Sequence, residues 1–156
     1  MKSLVVYYTR TGNAKFVAET IAAELGSDIE EIVDQKKRAG PLGWVSAGRD
    51  STQEKEAQIA PTKLSPQNYD LIVIGTPIWA WRPTPAIRTY LKQNDLSGKK
   101  IALFFTMDNA PKQAVEKTKA LMPHSAFVGE ITLAKVLKNK EETEKKIIEW
   151  CNTLKQ

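Results

Sequence analysis

The sequence predicts a doubly wound α/β domain built on a central parallel sheet, and three observations carry that expectation. Three short apolar runs, LVVYY (4–8), LIVIG (71–75) and IALFF (101–105), are continuous rather than alternating, as in strands covered on both faces. Helix signals stand between them, so strand and helix alternate along the chain. The loop after the first run, TRTGNA (9–14), joins a strand to a helix, and a doubly wound sheet places its ligand beyond such strand ends.

Taken in order, the strand at 4–8 leads into a helix whose Val17, Ile21 and Leu25 share one face at i, i+4 spacing beside Ala14, Ala18 and Ala22. Gly26 stops it. DIEEIV (28–33) is interrupted by polar residues and belongs toward an edge. Residues 34–66 are the least regular part. There GPLGWVSAGRDS (40–51) reads as a short helix packed on the sheet, with Trp44 as a packing residue of the crossover and KKR (36–38) as a solvated cluster. After the strand at 71–75 comes a loop, Thr76 to Pro83, and then a helix that Thr84 can cap, with Pro85 at its first position and Ile87, Tyr90 and Leu91 buried. A helix between Pro111 and Met122 follows the strand at 101–105, and AFVGEITL (126–133) is a second edge candidate. The last helix, Lys140 to Leu154, buries Ile147, Ile148, Cys151 and Leu154 and leaves EETEKK to water.

Composition narrows the chemistry. A chain of 156 residues, 42% hydrophobic and 26% charged, has the size of one ordinary domain, and one domain over residues 1–156 is expected. Its apolar runs fall short of a membrane helix, and the N-terminus enters a strand without the regions of a signal peptide, so we expect a cytoplasmic protein that meets no membrane. One cysteine, Cys151, rules out an internal disulfide and a cysteine-rich metal site. The single histidine, His124, follows Pro123 in a loop and reads as a surface residue. Little remains for nucleophilic or histidine-based catalysis, and no catalytic residue or metal ligand is assigned. The formal charge is +5, but no recognition motif accompanies it, so nucleic acid is not an expected partner.

The stretch TRTGNA offers an anion the unpaired N–H groups and positive dipole end of a helix N-terminus. Thr9 and Thr11 can donate hydroxyl hydrogen bonds and Asn13 its amide, while Gly12 lets the backbone turn or pass close to a ligand. The same residues would equally make an ordinary capped helix, with Thr11 or Asn13 satisfying the first turn. The stretch has neither the P-loop lysine nor the GxGxxG spacing, which disfavours nucleoside triphosphates and the common dinucleotides.

Thr-x-Thr-Gly-Asn after a first strand resembles the phosphate loop of flavodoxins, which bind flavin mononucleotide (FMN). GTPIWAWRPTPAIRTYL (75–91) and LSGKKIALFFT (96–106) resemble the later flavin-facing segments of that family, in the right order and over nearly the whole chain. LGW and AGRD, between 42 and 50, resemble a subset of the same proteins. The resemblance implies a five-stranded, flavodoxin-like three-layer sandwich forming one FMN-binding domain. It places the flavin phosphate against Thr9, Arg10, Thr11, Gly12, Asn13 and Ala14. Many members carry Thr or Ser where this chain has Ala14, and losing a hydrogen bond to a charged group, worth about 1.5–3 kcal/mol, would weaken binding about tenfold or more unless Arg10 or Lys15 offsets it.

For the flavin ring, the loop from Thr76 through Pro77, Ile78, Trp79, Ala80, Trp81 and Arg82 would supply backbone contacts at the ring edge. Two tryptophans on such a loop are costly to leave in water, and an isoalloxazine ring offers them an apolar face. Trp79 is the first choice for that contact; Trp81 either shares it or covers the edge of the core. TMDNAP (106–111) would approach the other side, with backbone contacts from Thr106, Met107 and Asn109. The stacking tyrosine of the long-studied flavodoxins has no counterpart there, and Asp108 reads as a helix cap.

A flavin brings its own redox chemistry, which explains the sparse catalytic equipment. The resemblance therefore implies an FMN-binding electron carrier that passes electrons between redox partners. The alternatives are an NAD(P)H-dependent FMN quinone reductase, a flavodoxin-like oxidase, or a module that has lost its flavin. Familiar flavodoxins are mostly acidic; this chain, with 23 Lys plus Arg against 18 Asp plus Glu, should meet a redox partner protein with an acidic docking surface.

Overall fold

In a computed structural model, which describes residues 1–35, 57–107 and 112–156, the apolar runs form a parallel sheet. Strand β1 (Ser3–Tyr7) lies between β2 (Asp28–Glu31) and β3 (Leu71–Trp79), parallel to both. β3 also pairs in parallel with β5 (Lys100–Met107), and β5 with β6 (Ala126–Ala134). Five strands thus run in the order β2-β1-β3-β5-β6, with the two-residue β4 (Arg82–Pro83) folded back antiparallel on the end of β3. The chain leaves β1 in one direction to reach β2 and returns past it to β3. The crevice between β1 and β3 is therefore the topological switch point, where doubly wound folds, flavodoxins being the standard example of this order, bind their ligands.

Both faces of the sheet are covered, which is why its central strands need continuous apolar sequence. On one face, α1 (Asn13–Leu25) and α4 (Lys140–Leu154) pack Val17, Ala18, Ile21, Ile147, Cys151 and Leu154 against Val5, Val73, Ala102 and Phe104. On the other, α2 (Pro85–Gln93) sets Ile87, Tyr90 and Leu91 against Leu4, Ile72, Ile74 and Leu103, and Val115 of α3 (Lys112–Ala120) joins them. β6 keeps only Leu133 buried, the pattern expected of an edge. α1 ends at Gly26, in the left-handed region, whose N–H donates to Ala22 O. His124 is exposed, as expected. The crossover reading around Trp44, the KKR cluster, and Asp108 and Asn109 lie outside the described residues.

Two local expectations are corrected. Residues 76–79 do not form a loop: β3 continues through them, and a two-residue turn at Ala80 and Trp81 returns the chain to β4, pairing Ile78 with Pro83 and Trp79 with Arg82. Both turn residues have positive φ, 50° and 59°. That is the backbone of a tight hairpin normally marked by Asn-Gly, and no such signal appears in the sequence. Thr84 occupies the N-cap position of α2, but its side chain makes no capping hydrogen bond. Its hydroxyl instead pairs with the Thr76 hydroxyl at 3.1 Å.

Candidate functional site

Beyond the C-terminal ends of β1, β3, β5 and β6 lies an open cleft, at the place where doubly wound folds bind their ligands. Its walls are Thr9, Arg10, Thr11 and Asn13 from the loop after β1; Pro77, Ile78 and Trp79 from β3; Thr106 and Met107 from β5; and Lys135 and Val136 after β6. Four separate strand ends, brought side by side by the sheet order, converge on one concavity.

The loop after β1 is built to leave donors open. Gly12 takes φ 99° and stands as the N-cap of α1, where it has no side chain to cap the helix, and no side-chain capping bond is made. The backbone N–H groups of Asn13, Ala14 and Lys15 therefore begin the helix uncapped, at the positive end of its dipole. Thr9 Oγ1 accepts from Gly12 N–H at 3.0 Å, and Thr11 Oγ1 accepts from Asn13 Nδ2 at 3.2 Å. Each hydroxyl used as an acceptor keeps its own proton to donate. The donor set therefore fits a phosphate: hydroxyl protons, successive N–H groups and a helix dipole, with Arg10 and Lys135 as the charged groups of the wall. The wall includes no carboxylate, histidine or cysteine among the described residues. Beneath the loop, burial first and then Glu31 and Glu19 push the Tyr7 phenol up to about 12, so it is neutral at physiological pH.

Asn13 has a further part. Its Oδ1 accepts from Leu137 N–H at 3.2 Å, which ties the loop to the short helical turn Val136–Lys138 after β6. Its amide thus braces the loop from both sides.

In the same cleft, Trp79 packs edge-on against Tyr8, with ring centroids 5.6 Å apart and an interplanar angle of 88°. Tyr8 is buried, so its ring fixes the indole from behind while Trp79 lines the cleft.

Of the residues expected at the site, Thr9, Arg10, Thr11, Asn13, Pro77, Ile78, Trp79, Thr106 and Met107 line one cleft, with Gly12 as the turn between them. Others stand elsewhere. Ala14 is fully buried, its methyl in the cluster with Val17 and Ala18, so only its backbone N–H faces the anion question. Thr76 is 1% exposed; its hydroxyl donates to Pro77 O at 2.8 Å and accepts from Thr84 N–H at 3.1 Å. It holds the turn into α2 and forms no part of the wall. Ala80, Trp81 and Arg82 form the hairpin tip. There Trp81 is 62% exposed, and Arg82 Nη1 donates to Ala80 O at 3.3 Å, bracing the turn. The sequence reading missed Lys135 and Val136 because it stopped the last strand at 133. The rule that ligands lie beyond the carboxyl ends of the strands, applied to that strand as well, would have found them.

The flavodoxin family model matches residues 2–154, and the chain belongs to the flavodoxin family. No curated protein matches it. Among solved structures, it is similar to a flavoprotein from Lactobacillus acidophilus crystallised in complex with FMN, at 25% identity and TM-score 0.74, over 96% of this chain and 97% of that one. It resembles in fold a Bacteroides uniformis chain classed as a flavoprotein (23% identity, TM-score 0.82, 97% of each chain). Oxidised flavodoxin 2 from Bacillus cereus shares the fold as well (22% identity, TM-score 0.61, 98% of this chain and 97% of that one).

Proposed function

We propose that the chain holds one FMN in this cleft and carries electrons between redox partner proteins. The observation that carries the proposal is the meeting of two unlike sets of groups in one concavity: an uncapped helix N-terminus with Thr9 and Thr11, and Trp79, braced by Tyr8, with Pro77, Ile78 and Met107. A molecule with a terminal phosphate and a flat apolar ring matches both. The Lactobacillus acidophilus flavoprotein, similar over nearly its full length, was crystallised with FMN, which supports the choice of cofactor.

FMN would supply the one- or two-electron redox chemistry. The protein's own part is to bind and to orient. Thr9, Thr11 and the first N–H groups of α1 hold the phosphate, while Gly12 gives the backbone its turn. Trp79 positions the ring and keeps water from one side of it. With Arg10 and Lys135 at the cleft and a formal charge of +5, an acidic docking surface on the partner would speed encounter.

The test is the purified protein's absorbance spectrum and released flavin, followed by kinetics. A carrier reduces an acceptor protein with rates that fall as salt rises, and it consumes NAD(P)H with a quinone no faster than free FMN does. Rapid quinone-dependent NAD(P)H oxidation would make it an FMN quinone reductase instead.

A further inference from the structure

We propose that Lys135 is the cation that faces the phosphate and makes the site prefer the phosphorylated flavin. Lys135 lies at the cleft wall with Thr9, Thr11 and Asn13 although more than a hundred residues separate it from them in sequence. The inference rests on the assignment of this cleft to FMN.

Three features of the residue point the same way. First, its backbone is left-handed, with φ 50° and ψ 44°, a conformation that glycine and asparagine accept and lysine resists. The non-glycine residues with positive φ among the described residues are Ala80, Trp81 and Lys135. Ala80 and Trp81 form the two-residue turn between β3 and β4, whereas Lys135 lines the cleft, where backbone strain in a non-glycine residue points to function. Second, the turn that carries Lys135 is fixed to the anion loop. Leu137 N–H donates to Asn13 Oδ1 at 3.2 Å, and Lys138 N–H and Asn139 N–H both donate to Lys135 O, at 3.1 and 3.2 Å. Leu137 Cδ1 also comes within 3.7 Å of the place a Cβ on Gly12 would take. The base of the lysine is therefore held at the rim of the loop, and only its side chain is free to move. Third, Lys135 makes no ion pair among the described residues. Lys119 and Lys146, by contrast, reach Glu130 and Glu142. Its ammonium is uncommitted, next to hydroxyls and helix N–H groups that also want an anion.

A phosphate monoester would complete this arrangement, since a charge-assisted hydrogen bond from ammonium to phosphate is stronger than the neutral bonds of the loop. Riboflavin, which lacks the phosphate, gains nothing from it.

The test uses flavin-free protein titrated with FMN, riboflavin and inorganic phosphate, following flavin fluorescence and the melting temperature. K135Q keeps a polar side chain and the backbone strain but removes the charge; K135G removes the charge and relieves the strain; K135R keeps the charge. We expect K135Q and K135G to bind FMN about tenfold more weakly, riboflavin to be unchanged within twofold, and K135R to stay within threefold of wild type. K135G should also melt higher than wild type without ligand, and K135Q should not. Wild-type FMN affinity should fall more steeply with salt than that of K135Q. Inorganic phosphate should stabilise wild type more than K135Q. If wild type binds FMN and K135Q binds it equally well, or loses FMN and riboflavin alike, Lys135 does not face the phosphate, while the FMN assignment stands. If wild type binds neither flavin, the assignment itself falls.

Discussion

Replacing Gly12 by alanine isolates the backbone of the anion loop from everything else. A Cβ at position 12 would meet only Leu137 Cδ1, at 3.7 Å, an ordinary contact. The cost is therefore conformational: φ 99° lies in the region that an L side chain avoids, at about 1–2 kcal/mol. For a chain of 156 residues that corresponds to a fall in melting temperature of about 2–8 °C. Gly26→Ala is the matched control. Gly26 has φ 62° with nothing within 4 Å of the added Cβ, so it carries comparable strain at the far end of the same helix. The two variants should lose similar stability, but only Gly12→Ala should lose FMN affinity. Relaxing the strain would shift the Gly12 N–H to Thr9 Oγ1 bond and the uncapped donors behind it. Displacing one hydrogen bond to a charged group costs about 1.5–3 kcal/mol, so FMN should bind about tenfold or more weakly while riboflavin changes little. Thermal melts and fluorescence titrations with both flavins decide it. Equal FMN affinity for the two variants would refute the claim that this turn aims the phosphate donors.

Trp79→Ala should weaken FMN and riboflavin by the same factor, about tenfold, because the indole meets what the two flavins share; a loss confined to FMN in paired titrations would move Trp79 away from the ring. Trp81→Phe, at the exposed hairpin tip, should leave both affinities within twofold in the same assay. Cys151 is fully buried, and burial first, then Glu24, pushes its thiol up to about 11. The unfolded thiol gives up its proton at lower pH, so stability should fall as pH rises from about 9 to 11. Urea midpoints across that range should drop less for Cys151→Ala than for wild type, and parallel curves would assign the alkaline loss to other groups.

The sequence made the centre of the sheet legible because burial on both faces demands uninterrupted apolar runs, and LIVIG or IALFF can hardly serve otherwise. The anion loop was legible for a different reason: Gly12 and its flanking hydroxyls are local chemistry, readable without knowing the fold. What stayed hidden depends on distant partners or on missing signals. Asn13 offers no hint that its carbonyl oxygen will meet Leu137, and Thr84 reads as a cap until Thr76 is placed beside it. The β3–β4 hairpin uses Ala-Trp where turn chemistry would favour Asn-Gly, so its register could not be read from residue types. Lys135 looks like one more surface lysine just past an edge strand, and only the strand-end rule singles it out.

The most direct test of the central claim is a calorimetric titration of flavin-free wild-type protein with FMN and, separately, with riboflavin at low salt. One FMN per chain, bound at least about a hundredfold more tightly than riboflavin, is the expected result, since hydrogen bonds to a charged group contribute about 1.5–3 kcal/mol each and the loop offers several. Equal affinity for the two flavins, or no binding of either, would contradict it.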